Sequence, residues 1–344
     1  MKTKWGVWGS GGIARRRTIP EGIARAGAAE VTHVYCRTDD VNREVAATFG
    51  ARACADESEL LASDCDVIYI ATPVDLHVEE VTRCAEAGKH VFCEKPLGRT
   101  VDEAQGIVSA CRSHGVKLGV GLMMRFHAQH AEALRMVTAG RIGAPVLGRA
   151  QLSCWYPPIE GAWRQDPARG GGGSLMDMGS HCIDLLEMFL GRTLRVRCMI
   201  DSLVHDYASE DTAVVALEFE TGAKGVVDVL FNVPDASSRN RLELYGSRGS
   251  ILAEGTIGQG EAGEMVACLE EGEGGYDAQQ SRDSSGGIRI APDPVNMYRG
   301  EVEAFAQAVL DDTDPPVDGE AGLWNQRVVA AAYESAQTGK AVTV

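Results

Sequence analysis

No stretch of this 344-residue sequence stays apolar for the length of a bilayer crossing, and no long run carries charge of one sign. The first absence argues against a membrane-spanning helix, which needs about 20 consecutive apolar residues. The second argues against nucleic acid, because phosphate contacts need grouped Lys and Arg, and the formal net charge here is −16. A secretory leader is not expected either: Met1-Lys2-Thr3-Lys4-Trp5-Gly6 enters a glycine turn within ten residues, where a leader would carry a longer apolar region and a small-residue cleavage site. None of the ten cysteines (Cys36, Cys54, Cys65, Cys84, Cys93, Cys111, Cys154, Cys182, Cys198 and Cys268) belongs to a C-x-x-C pair, so zinc-ligand spacing is lacking. Most lie in apolar segments, where cysteine behaves as a small hydrophobe and stays a thiol in a reducing compartment. The expectation is a cytoplasmic protein with no membrane and no nucleic-acid partner.

What is present is apolar material, 44% of the residues, enough for one large or two medium domains. The first part alternates strand and helix. Lys4–Gly9, Glu30–Cys36, Asp66–Ala71, His90–Cys93 and Leu118–Gly121 read as strands. Helical stretches fall between them: one from the glycine turn to about Gly27, then Val41–Phe49, Val78–Gly88 and Val101–His114. Near-continuous apolar strands joined by helices predict a parallel sheet covered on both faces, and right-handed crossovers make it doubly wound.

Gly9-Ser10-Gly11-Gly12-Ile13-Ala14 fits G-x-G-x-x-A directly after the first strand and before a helix. The first glycine permits the tight turn, the second lets a pyrophosphate approach the backbone, and the small third residue lets helix and strand pack closely. Free N–H groups at the helix start face the phosphates. The second strand ends Tyr35-Cys36-Arg37-Thr38, with Cys36 where an acidic ribose reader of NAD is expected. A guanidinium pairs well with a 2′-phosphate, so Arg37 favours NADP over NAD; the alternative is that Asp39 or Asp40 reads the ribose. Arg15, Arg16 and Arg17 open the first helix against its dipole, which fits either an anionic partner or an exposed basic turn.

Three further segments resemble one family. Ala71-Thr72-Pro73-Val74-Asp75-Leu76-His77 follows the third strand, Cys93-Glu94-Lys95-Pro96-Leu97 the fourth, and Gly170 to Asp184 reads GGGGSLMDMGSHCID. Together they resemble the Gfo/Idh/MocA oxidoreductases (glucose-fructose oxidoreductase and inositol dehydrogenase-like) over essentially the whole chain. Trp155-Tyr156-Pro157-Pro158 and Trp163-Arg164 are similar to the branch of NADP-dependent sugar and dihydrodiol dehydrogenases. The resemblance implies an α/β chain: an N-terminal Rossmann domain, taken as residues 1–124, and a C-terminal α+β domain, 125–344, with a large, mostly antiparallel, open-faced sheet. Strand patterns at Val146–Trp155, Leu194–Asp201, Thr212–Phe219, Gly225–Phe231, Arg241–Tyr245 and Ser250–Ala253 fit that sheet, with Gly246-Ser247-Arg248-Gly249 as a turn. Helices about Val295–Leu310 and Gly319–Thr338 are expected to pack back on the first domain. The open face implies a homodimer or homotetramer.

The resemblance also assigns roles. Lys95 is expected to bond the reacting hydroxyl of a sugar-like substrate and steady a developing alkoxide. His181, four residues after Asp177 and on the same helix face, is expected to move the hydroxyl proton, with Asp177 orienting substrate or imidazole. Ala71, Thr72, Pro73 and His77 are expected to line the cofactor crevice and Glu94 to contact the nicotinamide ribose; by position, Arg125 after the fifth strand and Trp163 and Arg164 in a loop over the site are expected to reach the substrate. Gly170–Gly173 read as a close backbone approach to nicotinamide or substrate rather than a linker. His127 and His130 lack a third metal ligand at a useful spacing, so no metal is expected. Two other readings stay open: an NAD-dependent glycosidase of the same fold, and a non-catalytic sugar or cofactor sensor.

Overall fold

The computed structural model describes residues 1–270, 278 and 287–344. The first sheet has six parallel strands: β1 (Thr3–Trp8), β2 (Ala29–Tyr35), β3 (Arg52–Ala53), β4 (Val67–Ile70), β5 (His90–Cys93) and β6 (Leu118–Val120). Their order is β3-β2-β1-β4-β5-β6. Chain direction across the sheet reverses between β1 and β4, and the crevice that binds ligands in such sheets opens above that point. The short edge strand β3 was not expected. It carries two residues and no apolar run, and follows Gly50, whose φ of 66° caps the helix Asp39–Phe49.

The first helix, Ala14–Ile23, is wound at π pitch. Pro20 inside it has no N–H to give, and past it the ladder closes at five-residue spacing, Ala24 N to Ile19 O at 3.0 Å. The helix stops at Ile23, short of the Gly27 that its glycine invited.

The second sheet has nine strands: β7 (Pro145–Ser153), β8 (Thr193–Asp201), β9 (Thr212–Phe219), β10 (Lys224–Leu230), β11 (Arg241–Gly246), β12 (Gly249–Glu254), β13 (Glu264–Leu269), β14 (Ile288–Arg289) and β15 (Val342–Thr343). The order is β14-β13-β12-β11-β7-β10-β9-β8-β15. All neighbours run antiparallel except β7 and β10, which are parallel. Period-two alternation sets the faces. In β9, Ala213, Val215, Leu217 and Phe219 are buried in the core that the helix Ser180–Leu190 also enters, whereas Val214 and Ala216 face outward. Met199, 71% exposed, and Leu194 extend that open apolar face on β8.

The chain's end returns to its beginning. Phe305, on the helix Met297–Leu310, stacks into Trp5 (centroids 5.9 Å apart) and Phe92 (5.3 Å) over Gly119, where any side chain would collide with its ring. The helix Gly319–Thr338, capped by Asp318 at Ala321 N (2.9 Å), sends Leu323 into the core of the first sheet and Val328, Val329 and Ala332 into that of the second. Among the described residues no helix is long and apolar enough to cross a membrane. Because Phe305 is buried in an aromatic cluster, Phe305→Ala should cost about 3–5 kcal/mol. Urea unfolding would read this as a lower midpoint at unchanged slope; an unchanged midpoint would show that this helix contributes nothing to the first sheet's stability.

Candidate active site

A crevice of about 1180 Å³ opens at the carboxyl ends of β1, β4 and β5 and continues under the second sheet. Its floor at one end is the glycine turn. Gly9 sits at φ 95°, and a Cβ there would press within 2.9 Å of Ala71 C and the Thr72 side chain. Gly11 and Gly12 have nothing within 4 Å where a side chain would stand, so the backbone itself faces the crevice. That open backbone at a helix start fits a pyrophosphate. Ile13, Arg37, Thr38, Ala71, Thr72 and Pro73 join the same wall. Ser10 departs from expectation: its side chain is fully buried, it does not line the crevice, and its Oγ has no partner.

His77 lines the crevice but is 1% exposed, and its ring ties two loops together: Nε2 lies 3.1 Å from Thr72 O and Nδ1 3.1 Å from Pro96 O. Thr72 Oγ1 donates to the Glu80 carboxyl. Burial pushes the Glu80 pKa up to about 8, so this side chain of the crevice wall is neutral at pH 7.

Past β5 the polar groups converge. Glu94 is half-buried, accepts from Tyr69 Oη at 2.6 Å, and its desolvation raises its pKa. Lys95 Nζ donates to Asp177 Oδ1 (2.8 Å) and to Asp177 O (2.6 Å). Arg164 Nε donates to the same Oδ1 at 2.9 Å, and its guanidinium stacks 4.1 Å from the centre of the Trp163 ring. Burial alone would raise the Asp177 pKa, but Arg164 and Lys95 outweigh it and hold the carboxyl well below the usual carboxylate range. His181 sits in the same pocket. Burial, and then the Lys95 charge, push its pKa well below 6.5, and its Nδ1 has no hydrogen-bond partner. The segment Leu175–Gly179 that carries Asp177 winds at π pitch and runs straight into the helix Ser180–Leu190 that carries His181.

Three expectations need correction or completion. Arg125 does not line the crevice: its Nε lies 2.9 Å from Asp184 Oδ2 and its Nη2 2.5 Å from Oδ1. Asp184 is 2% exposed and requires a cation, which takes those guanidinium donors away from any substrate. Gly170–Gly173 do not face the crevice either; they are packing glycines. A Cβ on Gly170 would meet Trp163 O at 2.9 Å, on Gly171 the Arg99 Cα at 3.1 Å, on Gly172 the Tyr333 hydroxyl, and on Gly173 the Glu210 backbone. His127 and His130 are buried, with ring centroids 4.6 Å apart. His127 Nδ1 accepts from Gln129 N, which puts its proton on Nε2 and leaves that ring no free lone pair for a cation. Among the described residues no three His, Cys, Asp or Glu side chains group as metal ligands.

Crevice residues that nothing in the sequence pointed to are Tyr298 and Glu301 on the helix Met297–Leu310; Arg16 and Tyr156, which carried no expected site role, line it as well. Tyr298 Oη and Glu301 Oε2 are buried without partners. Nothing in the local sequence marks them, because only the return of a distant helix brings them to the site. Arg16 had a signal: of the three arginines opening the first helix, Arg15 pairs with Glu44 and Arg17 with Glu21, whereas Arg16 lines the crevice.

This fold and this site define a nicotinamide-dependent oxidoreductase, and the chain belongs to the Gfo/Idh/MocA family. Residues 3–122 match the family's NAD-binding Rossmann fold and residues 130–252 its C-terminal domain. The chain is 30% identical to D-xylose 1-dehydrogenase (NADP(+)) 2 of Haloferax volcanii, over 98% of each chain. It is 28% identical to the 1,5-anhydro-D-fructose reductase of Ensifer adhaerens, over 99% of this chain and 98% of that one. Among solved structures, the aldose-aldose oxidoreductase of Caulobacter crescentus superposes with a TM-score of 0.87 at 24% identity over the full length of both chains.

The Glu80 carboxyl sets one pH dependence. It is neutral below about 8 and gains a negative charge above it, beside a crevice built for an anionic dinucleotide. Dinucleotide affinity should therefore fall roughly five-fold between pH 7 and pH 9. Fluorescence titration with the reduced cofactor reads this directly, and Glu80→Gln should flatten the dependence; the same slope in the variant would remove Glu80 as its cause.

Proposed function

We propose that the chain transfers a hydride between NADP and a hydroxyl or carbonyl carbon of a sugar, polyol or related cyclic alcohol. The observation that carries this reading is the meeting of Lys95, Asp177, Arg164 and His181 at the far end of a crevice that begins at the glycine turn. The names of the relatives support a sugar-like substrate. NADP over NAD is supported by Arg37, which is exposed on the crevice wall just past β2, where Cys36 replaces an acid. Residues 1–124 hold the cofactor and residues 125–344 the substrate and subunit contacts.

A bound nicotinamide dinucleotide supplies or takes up the hydride. The rest falls to the chain. An ammonium group has three protons, and Lys95 gives two to Asp177, which leaves one for the substrate oxygen. Lys95 thus binds that oxygen and steadies its negative charge as the carbon–hydrogen bond breaks. His181, uncharged, accepts the hydroxyl proton in oxidation and returns it in reduction. Asp177 fixes Lys95 and Arg164 about a single point, and the Trp163–Arg164 stack covers the substrate end. Ten unpaired thiols support a reducing, cytoplasmic setting.

The test is a panel of sugars, polyols and dihydrodiols assayed with either cofactor by reduced-nicotinamide absorbance. A faster reaction with NADP on at least one compound is expected, and Lys95→Ala should cut turnover about 10²–10⁴-fold while cofactor affinity changes little. Release of sugar from a glycoside with no net change in reduced cofactor would select a glycosidase instead, and unchanged turnover in Lys95→Ala would reject its role. The open face of the second sheet is proposed to join subunits into a dimer or tetramer. Light scattering should then give two or four chain masses, and Met199→Glu with Val214→Glu should give one; a wild-type monomer would end that part of the reading.

A further inference from the structure

The reactive groups come from separate pieces of chain, and something must hold the piece bearing Asp177 and His181 in register with Lys95. That piece starts at Gly173. Its first N–H groups have no partners inside the helix, and a single residue from the second sheet's loops takes three of them in succession. Glu210 Oε2 accepts from Gly173 N at 2.9 Å, its backbone O from Ser174 N at 3.0 Å, and Oε1 from Leu175 N at 2.9 Å. Oε1 also accepts from Tyr333 Oη at 2.8 Å, on the long C-terminal helix. Glu210 is 8% exposed, so these bonds are made out of water. The absence of side chains at Gly172 and Gly173 is what lets the segment come this close to Tyr333 and to Glu210. Asp177 N then bonds Gly173 O at 3.0 Å, one turn of backbone carrying the fixed start directly to the reactive carboxylate. The neighbouring residue completes the hold: Ser209 Oγ donates to Arg164 O at 2.9 Å, which fixes the other cation on Asp177.

We propose that Glu210 is a positioning residue of this active site, setting the helix that carries Asp177 and His181 against Lys95, while Ser209 does the same for Arg164. Glu210 touches neither the crevice nor the reacting atoms. The inference rests on the reading above that Lys95, Asp177 and His181 do the chemistry. It also explains the four consecutive glycines, which sit next to the reactive segment without lining its pocket.

The experiment uses the full-length protein with Glu210→Gln, in which one acceptor oxygen becomes an NH₂ facing a backbone N–H. Two readouts are taken at a temperature where circular dichroism shows variant and wild type equally folded. Hydrogen exchange across residues 173–181 should quicken on the order of ten-fold or more, with residues 9–16 of the glycine turn unchanged. Turnover of the best panel substrate should fall about 10–100-fold, with KM and cofactor affinity within about two-fold, since misplacement of a catalytic group acts on the reacting step. Should Glu210→Gln fail to fold, Tyr333→Phe and Ser209→Ala take its place, with smaller changes of the same pattern. Normal turnover in well-folded variants, or a loss that follows the folded fraction alone, would make Glu210 purely structural and overturn the proposal. A wild-type protein that turns over nothing in the panel defeats the reaction proposed above; unaltered exchange at residues 173–181 defeats the clamp, whatever the panel shows.

Discussion

The site depends on one carboxylate. Lys95 and Arg164 both direct N–H groups at Asp177 Oδ1, and without that oxygen two cations would face each other in a largely desolvated pocket. Opposite charges at this spacing attract strongly where water is scarce, and like charges repel as strongly. Lys95 follows β5 of the first sheet, whereas Arg164 and Asp177 belong to segments flanking the second. The double pairing therefore fixes the crevice as well as its charges. Burial keeps the His181 imidazole uncharged, and the net positive neighbourhood left by one anion between two cations adds to it.

Around that point the fold supplies rigidity from distant parts of the chain. Tyr298 and Glu301 reach the crevice from a helix nearly 200 residues beyond the loop that carries Lys95. Phe305 on the same helix is locked into the first sheet's aromatic cluster. The long final helix contributes to both cores and presents Tyr333 to Glu210. Loops at strand ends hold the reactive groups, and packed elements behind those loops limit their motion.

Much of this was legible beforehand, because the strongest signals are local. The glycine turn after β1, the apolar strands of the parallel sheet, and the Glu94-Lys95-Pro96 and Asp177–His181 segments each announce themselves within a dozen residues. Strands β3, β14 and β15 lack a signal because each has two residues, too few to show a period, and the six-residue β13 is missing from the expected strands as well. The glycine run was misjudged for another reason: glycine marks any close approach, and here the neighbours are Tyr333 and Glu210, which no local pattern ties to residue 173. The position of Arg125 after β6 points to the substrate, but its guanidinium pairs with the buried Asp184 carboxylate instead. Ser10, inside the recognised turn, points its hydroxyl into the interior.

That burial, with Lys95 and Arg164 beside it, leaves His181 uncharged is tested most directly by the pH dependence of alcohol oxidation at saturating cofactor and substrate. In the proposed reaction the imidazole accepts the proton in its base form, and its pKa is held well below 6.5, so turnover should stay level from pH 8 down through 6.5. An acid limb centred near 6.5, the value of an unperturbed histidine, would contradict the account.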